Sequence, residues 1–349
     1  MPQDTRFNIP FPHYISPDLE SSRIHNSEWV KEYSLVTTSE ARDWYDSWDM
    51  PKLAAYIYPF ARREDLDLGC DIMAFFFLFD DQFDGPLGQR PDQVATVCTR
   101  LIECIHDSSG ARSKAANPCE RAFADIWHRS RLGSDLGWCA RASHWWEYYF
   151  ASYVHESLNR SAGAPISMEQ YLQVRRGMAA TDLSISIGER VSRVDVPPVA
   201  FHSPQLRIMR RIAADVPFMC NDVYSVEKEA ARGDLDNMVL VIEHERNVSR
   251  ATAVEEIVQK VDIECQRFRT LAQELAAMFV RLNLPEGERA GIRNYIDVMA
   301  AWMRGFQEWQ IQTLRYRTAM EVVPSHAPGY IEELFGAQQP DAGSDEEGS

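Results

Sequence analysis

Residues 72–79 are eight consecutive apolar positions, four of them phenylalanine, and the run ends on Asp80, Asp81 and Asp84. A segment with no polar side to offer water is buried on most of its surface, so the carboxylates that close it stand at the rim of a buried element. No breaker falls before Gly85-Pro86. A helix through the run puts Asp80 and Asp84 one above the other, at i and i+4, with Asp81 turned about 100° away. Two stacked carboxylates repel each other until a hard cation joins them. Magnesium suits such a place, because it takes oxygen ligands, usually one or two carboxylates together with water and phosphate oxygens. Phe76, Phe77 and Met73 lie further back on the same side, a lining whose aromatic faces attract an electron-poor guest. Taken alone, the cluster also reads as a solvated acidic helix end.

A second polar face stands far downstream, in Asn221-Asp222-Val223-Tyr224-Ser225-Val226-Glu227-Lys228-Glu229. Asn221, Ser225 and Glu229 recur at i, i+4 and i+8, so an amide oxygen, a hydroxyl and a carboxylate share one side over about 12 Å of helix axis. That donor set makes one hard-cation site, and Lys228 beside it is within reach of a phosphate oxygen. By itself this face is equally a polar helix surface.

Helical patterns fill the rest of the chain. Starts are signalled at Ser39-Glu40, Pro91-Asp92, Ser167-Met168-Glu169 and Ser249. Breaks fall at Gly85-Pro86, 107–110, Gly133-Ser134, 162–165, Val196-Pro197-Pro198 and 233–236, leaving segments of about 15–30 residues. No alternating strand pair, βα rhythm, internal repeat, dinucleotide fingerprint or P-loop occurs. The expectation is an all-α fold, a bundle of roughly ten to twelve helices. It forms one domain over residues 21–337, with an extended Pro-rich N-terminal strap at 1–20 and a disordered acidic tail at 338–349.

Acidic residues outnumber basic ones by 52 to 36, for a formal charge of −16, and no Lys/Arg stripe appears. Nucleic acid and anionic membrane are therefore poor partners, and an anionic substrate must be met by a few placed cations or by metal. The seven cysteines include no CxxC pair and read as free thiols of a cytoplasmic protein. The longest apolar run is eight residues, against about twenty for a membrane span.

DDQFD at Asp80–Asp84 resembles the aspartate-rich motif of the class I terpene synthases. NDVYSVEKE at Asn221–Glu229 resembles their Asn/Ser/Glu motif, including the lysine before the last glutamate. The spacing of about 140 residues between the two is similar to that of bacterial members, and the likeness runs from Ile9-Pro10-Phe11-Pro12 to Tyr330–Leu334. The resemblance implies that Arg175, 46 residues before Asn221, senses diphosphate, and that Arg315-Tyr316 is a C-terminal diphosphate-binding pair. Arginine presents a planar fork of donors suited to phosphate oxygens. After the sensor comes Gly177-Met178-Ala179-Ala180, where Gly177 would supply a kink and Ala179 a carbonyl aimed at substrate. Met178 departs from the small residue common there.

What the resemblance implies is a carbon–oxygen lyase. It carries out magnesium-dependent ionisation of an allylic prenyl diphosphate, farnesyl diphosphate before others, and cyclises the freed carbocation to a sesquiterpene. A cluster of about three magnesium ions would serve it. Asp80 and Asp84 would hold two of them, and Asn221, Ser225 and Glu229 the third. Arg175, Lys228, Arg315 and Tyr316 would donate to the diphosphate. Phe76, Phe77, Met73, Trp302 and Trp309 are the candidates for a wall that keeps the cation from water; Trp302 and Trp309 stand at i and i+7 on one helix. Trp145, Trp146, Tyr148 and Tyr149 read as core packing. The implied partner is the small-molecule substrate, and homodimers occur in the family. Geranyl or geranylgeranyl diphosphate is the alternative substrate. A chain-elongating prenyltransferase is the alternative enzyme, although that class carries two aspartate-rich motifs where this chain has Asn/Ser/Glu. A helical binding protein is the alternative outside enzymes.

Overall fold

A computed structural model of the chain describes residues 4–107, 117–163, 165–232, 234–315 and 333–335. Tyr316 and the tail expected at 338–349 lie outside the described residues. Among those residues all regular structure is helical, and no strand occurs. In chain order the α-helices are α1 (Leu19–Glu32), α2 (Ser39–Trp48), α3 (Met50–Ile57), α4 (Glu64–Asp80), α5 (Pro91–His106), α6 (Pro118–Arg131), α7 (Leu136–Ala162) and α8 (Met168–Met178). There follow α9 (Thr181–Val191), α10 (Pro198–Phe201), α11 (Pro204–Arg232), α12 (Met238–Arg246), α13 (Arg250–Gln273), α14 (Leu275–Arg281) and α15 (Glu286–Gln310).

These are more helices than the ten to twelve expected, for an identifiable reason. Some helical stretches are cut where a non-glycine residue takes left-handed φ: Asp49 (52°) between α2 and α3, and Ala180 (50°) between α8 and α9. Ala180 carries no Gly or Pro of its own, and at Asp49 the only breaker is Pro51, which stands in the first turn of α3. The starts fall close to expectation. Ser167 caps α8 in a reciprocal capping box with Gln170, and Ser249 accepts from the Thr252 N–H at 3.2 Å. The α2 cap is Thr38, one residue before the expected serine, accepting from Ala41 at 3.1 Å.

α4 runs through the middle, packed by α1, α3, α6 and α9, and Leu66, Leu68, Ile72, Met73, Phe75, Phe76, Leu78 and Phe79 are all buried. A helix that is apolar all round needs neighbours on every side. α7 lies against α5, α8 and α9, and α11 against α9, α13 and α15. α15 crosses α3 at Gly305, where a Cβ would stand 2.3 Å from the Tyr56 carbonyl oxygen; no residue but glycine admits that approach. The N-terminal residues from Thr5 to Ser16 have no regular structure and run over the outer side of these helices. Phe7 packs on Tyr224 and Phe11 on Phe268, and Arg304 donates to the Ile9 carbonyl at 3.2 Å.

Candidate active site

α4 ends at Asp80, and the chain tightens into a 3-10 turn, Asp81–Phe83, that leaves Asp84 as its C-cap. Asp80 and Asp84 are therefore not stacked on one α-helix as their spacing predicts. Asp80 lines an aromatic cavity, with 46 % of its side chain accessible, and accepts from the Tyr153 hydroxyl at 3.0 Å. Asp84 does not line that cavity; it stands 3.4 Å from Lys228 Nζ. Because Lys228 lies on α11, this ion pair ties the two acidic segments together.

Asn221, Ser225 and Glu229 line the same cavity from α11, as the i, i+4, i+8 spacing predicts. Arg175 reaches them from α8: Nη2 donates to Asn221 Oδ1 at 2.7 Å and Nε to Asp222 Oδ1 at 3.0 Å. Asp222 is fully buried and also takes the Tyr171 hydroxyl and the Met238 N–H. Asn237, the N-cap of α12, donates to Glu229 Oε2 and to the Asp222 carbonyl, each at 2.8 Å. Sequence reasoning missed Tyr171, Asp222 and Asn237 as supports of the site. Only the break at 233–236 pointed near the last of them.

Arg315 also lines the cavity, but it is held by Asp81 through both terminal nitrogens, at 3.0 and 2.5 Å. Its guanidinium lies over the rings of Trp48 and Phe77, at 4.5 and 5.0 Å. Asp81, which helical spacing puts off to one side, is thus joined to a residue 234 positions away. No local pattern could announce that.

Met73, Phe76, Phe77 and Trp302 line the cavity as expected, joined by Phe218, Phe306, Tyr149 and Tyr153. Tyr149 is a correction, since its sequence setting reads as core packing. Trp309 is another, because it does not line the cavity. Seven residues carry it about 10 Å along α15 from Trp302, to the α2–α3 junction, where its indole N–H donates to the Trp48 carbonyl at 2.7 Å. Its ring supports Phe77 from behind, with centroids 5.2 Å apart. Trp302 is fixed by a proline. Pro217 lies inside α11 and has no N–H for the carbonyl four residues back, which is Ala213. The Trp302 indole N–H takes that carbonyl at 3.0 Å. Gly177, expected as the kink, lies within α8, where its missing Cβ makes room for Ser152. The chain turns at Ala180 instead.

The family model described as terpene synthase family 2, C-terminal metal binding, matches residues 71–267, a span holding both acidic segments. The (-)-beta-caryophyllene synthase of Saccharothrix espanaensis is 34% identical over 336 residues, 96% of this chain and 95% of that protein. The pentalenene synthase of Streptomyces avermitilis is likewise 34% identical, over 96% of this chain and 99% of its own. The chain belongs to the terpene synthase family. Among solved structures, germacradien-4-ol synthase from Streptomyces citricolor matches with a TM-score of 0.81 at 36% identity, covering 90% of this chain and 100% of that one. The protein is a class I terpene synthase, a carbon–oxygen lyase with a divalent-metal domain.

The electrostatics of this terpene synthase suit such a metal. Ser225 is buried on α11 between Asn221 and Glu229, and its hydroxyl lies close enough to the Glu229 carboxylate to help hold that group's charge, so the three oxygens stand together on one face. Burial, with Asp222 close by, pushes the Glu229 carboxyl up to about 7. Burial raises Asp80 too, and Asp84 and Asp81 raise it further. Its side chain is deep among protein atoms yet wetted by the cavity, so the repulsion from neighbouring carboxylates is the part that a cation would relieve. Arg175, although buried, is held firmly protonated by Asp222.

Other buried carboxyls make stability pH-dependent. Burial pushes Glu156 up to about 8, opposed by Arg160, and Glu189 up to about 7, opposed by Arg141. Both bind a proton more tightly folded than unfolded, so their contribution is full below about pH 4.5 and is lost as pH rises through about 7 to 8. Metal-free protein is expected to melt at a higher temperature near about pH 6 than near about pH 9. Added magnesium should raise the melting temperature more at the higher pH, because its ligands must be ionised. Thermal melts with and without chelator test this, and a melting temperature that rises steadily with pH without metal would contradict it.

Proposed function

We propose that this terpene synthase ionises farnesyl diphosphate and cyclises the freed cation to a sesquiterpene, releasing diphosphate. The observation that carries the reading is one cavity with two ends. Asp80, Asn221, Ser225, Glu229, Arg175 and Lys228 line the polar end, and Met73, Phe76, Phe77, Phe218, Trp302 and Phe306 the apolar one. The fifteen-carbon substrate is supported by relatives such as the caryophyllene synthase, named for cyclising (2E,6E)-farnesyl diphosphate. Free thiols at all seven cysteines fit a cytoplasmic setting. Residues 21–337 act as one catalytic domain, with 1–20 as its strap.

In this reading Asp80 and Asp84 hold two magnesium ions, and Asn221, Ser225 and Glu229 a third, about three in all. When bound, the metal would supply Lewis-acid charge to the diphosphate oxygens. Arg175, already charged and fixed by Asp222, donates to the leaving group from α8. Lys228 and Arg315 give up Asp84 and Asp81 in part to do the same, joined by Tyr316. Phe76, Phe77, Trp302 and Phe306 present ring faces to the cation and keep water out of the apolar end.

Purified protein with magnesium and geranyl, farnesyl or geranylgeranyl diphosphate is expected to release diphosphate fastest from farnesyl diphosphate and to yield a fifteen-carbon volatile. Chelator should abolish both. A longer diphosphate, formed only with added isopentenyl diphosphate, would make the protein a chain-elongating transferase. No diphosphate from any of the three substrates would end the reading.

A further inference from the structure

A second cleft, of about 680 Å³, opens between α7, α9, α10 and α11, and none of its lining residues lines the active-site cavity. Its charged lining is Arg141 from α7, Asp182 from α9, and Arg207, Arg210 and Arg211 from α11. Four arginines therefore meet one aspartate, in a chain whose formal charge is −16. Two of them are drawn together on one ring. The guanidinium carbon of Arg210 lies 3.7 Å from the centre of Phe201, and that of Arg141 lies 4.1 Å from it. Like charges held this close repel each other unless an anion joins them.

The carboxylates nearby do not cancel this charge. Glu189 is taken by Arg141 at 2.6 Å. Asp215 is held through both oxygens by Arg176, at 3.0 and 2.8 Å, and stands 3.7 Å from Arg211. Asp182 stands 3.4 Å from Arg211. Arg207 and Arg210 make no ion pair among the described residues. Arg207 is exposed, whereas Arg210 is partly buried and spends one N–H on the Phe201 carbonyl, at 2.7 Å. Burial pulls the Arg210 pKa below its usual value, and Tyr295, Asp182 and Glu189 offset this only in part. A guanidinium stays charged regardless, so its lost hydration is not made good by a partner. A neighbouring hollow shares Arg207 and Arg211 and adds Lys260 and Arg267 beside Asp215 and Glu264, which extends the positive surface to α13.

We propose that this cleft is a second binding site, for a phosphate-bearing anion: a diphosphate group, free or carried on a nucleotide. Planar guanidinium forks match phosphate oxygens in pairs. Arg207, Arg210 and Arg211 recur at i, i+3 and i+4, so α11 presents all three on one side. A multivalent anion answers several of these cations at once, where a carboxylate answers one. Trp145 and His144 line the same cleft from α7 and offer a nucleotide base a surface to lie on. The site is separate from the proposed ionisation of a prenyl diphosphate and does not depend on it.

The test is calorimetric titration of the full chain with inorganic diphosphate or ATP, in chelator so that magnesium does not recruit either probe to the cavity. Wild type is expected to bind diphosphate at a single site, more weakly as salt rises. Arg210→Gln should weaken binding about tenfold or more, the loss of a charge-assisted hydrogen bond, and Arg207→Gln should weaken it by a smaller factor. Because Arg207 is exposed, its variant keeps the fold even if Arg210→Gln does not. Lys228→Gln, at the polar end of the cavity, should leave the affinity unchanged. ATP binding about tenfold tighter than diphosphate upholds the site and assigns it to a nucleotide; equal or weaker ATP binding upholds it for the free anion. Binding that is lost in Lys228→Gln and kept in both arginine variants puts the anion in the cavity and overturns the inference. Binding of neither probe overturns it as well, and leaves the proposed function standing, since no turnover is read.

Discussion

Glu229→Gln is expected to cut the rate of diphosphate release by about a thousandfold, or about 4 kcal/mol of barrier, while leaving the fold intact. The substitution keeps the shape of the side chain and an oxygen for Asn237 to donate to, so only charge is removed. That charge is one of few at the polar end of the cavity, and Glu229 together with Asn221 and Ser225 makes a three-oxygen set on one helix face. Losing it should also raise the magnesium concentration needed for half activity. Stability should move the other way. Burial already disfavours the ionised carboxylate, with its pKa pushed to about 7, so the neutral amide is the easier group to bury without metal. Diphosphate release against magnesium concentration, together with melts in chelator, reads both effects. A variant with wild-type turnover would remove Glu229 from the metal site. A variant that lost activity and melted far lower would make the residue structural.

Asp81→Asn should have the opposite signature, with stability affected first. Arg315 and Asp81 are both under 10 % exposed, and the pair is bidentate. Removing one partner of a buried ion pair leaves an uncompensated charge, an effect of about 3–5 kcal/mol. The faces of Trp48 and Phe77 and the more distant Asp80 carboxylate, at 3.7 Å, remain to Arg315. The expected loss is therefore at the lower end, about 3 kcal/mol, or a melting temperature lower by about 5 °C. Arg315→Met leaves Asp81 stranded instead, and the double variant should be less destabilised than the two single losses added together. An Asp81→Asn protein melting within about 1 °C of wild type would mean that the pair contributes little.

The parts of the site legible in the sequence are those whose residues share one stretch of helix. Asn221, Ser225 and Glu229 lie on a single face of α11, and Met73, Phe76, Phe77 and Asp80 come from α4, so the 3.6-residue period sufficed. The all-helical class was legible for the same reason. What escaped depends on contacts made across the fold. Asp81 finds Arg315 from the far end of the chain, Asn237 reaches back to Glu229 from a cap, and Tyr149 faces inward because α7 packs beside α4. Trp309 misled because a shared face fixes direction and not depth along the axis. Asp84 misled because the last turn of α4 tightens, which local composition does not signal. Ala180 escaped because a left-handed alanine looks like any other alanine in a sequence.

That alanine bears on how such an enzyme diversifies. A left-handed backbone costs a residue with a Cβ about 1 kcal/mol, and here the cost falls at the junction of α8 and α9, inside the cavity wall. The carboxylates sit elsewhere, on α4 with its closing turn and on α11. Residues 178–181 can therefore vary in size and polarity while the groups that begin the reaction stay as they are. For directed evolution this separates two heritable traits, ignition and outcome. A library confined to those four positions explores product space from a parent that keeps its chemistry, and glycine at 180 is the neutral first step, since it removes the strain and frees its neighbours to change.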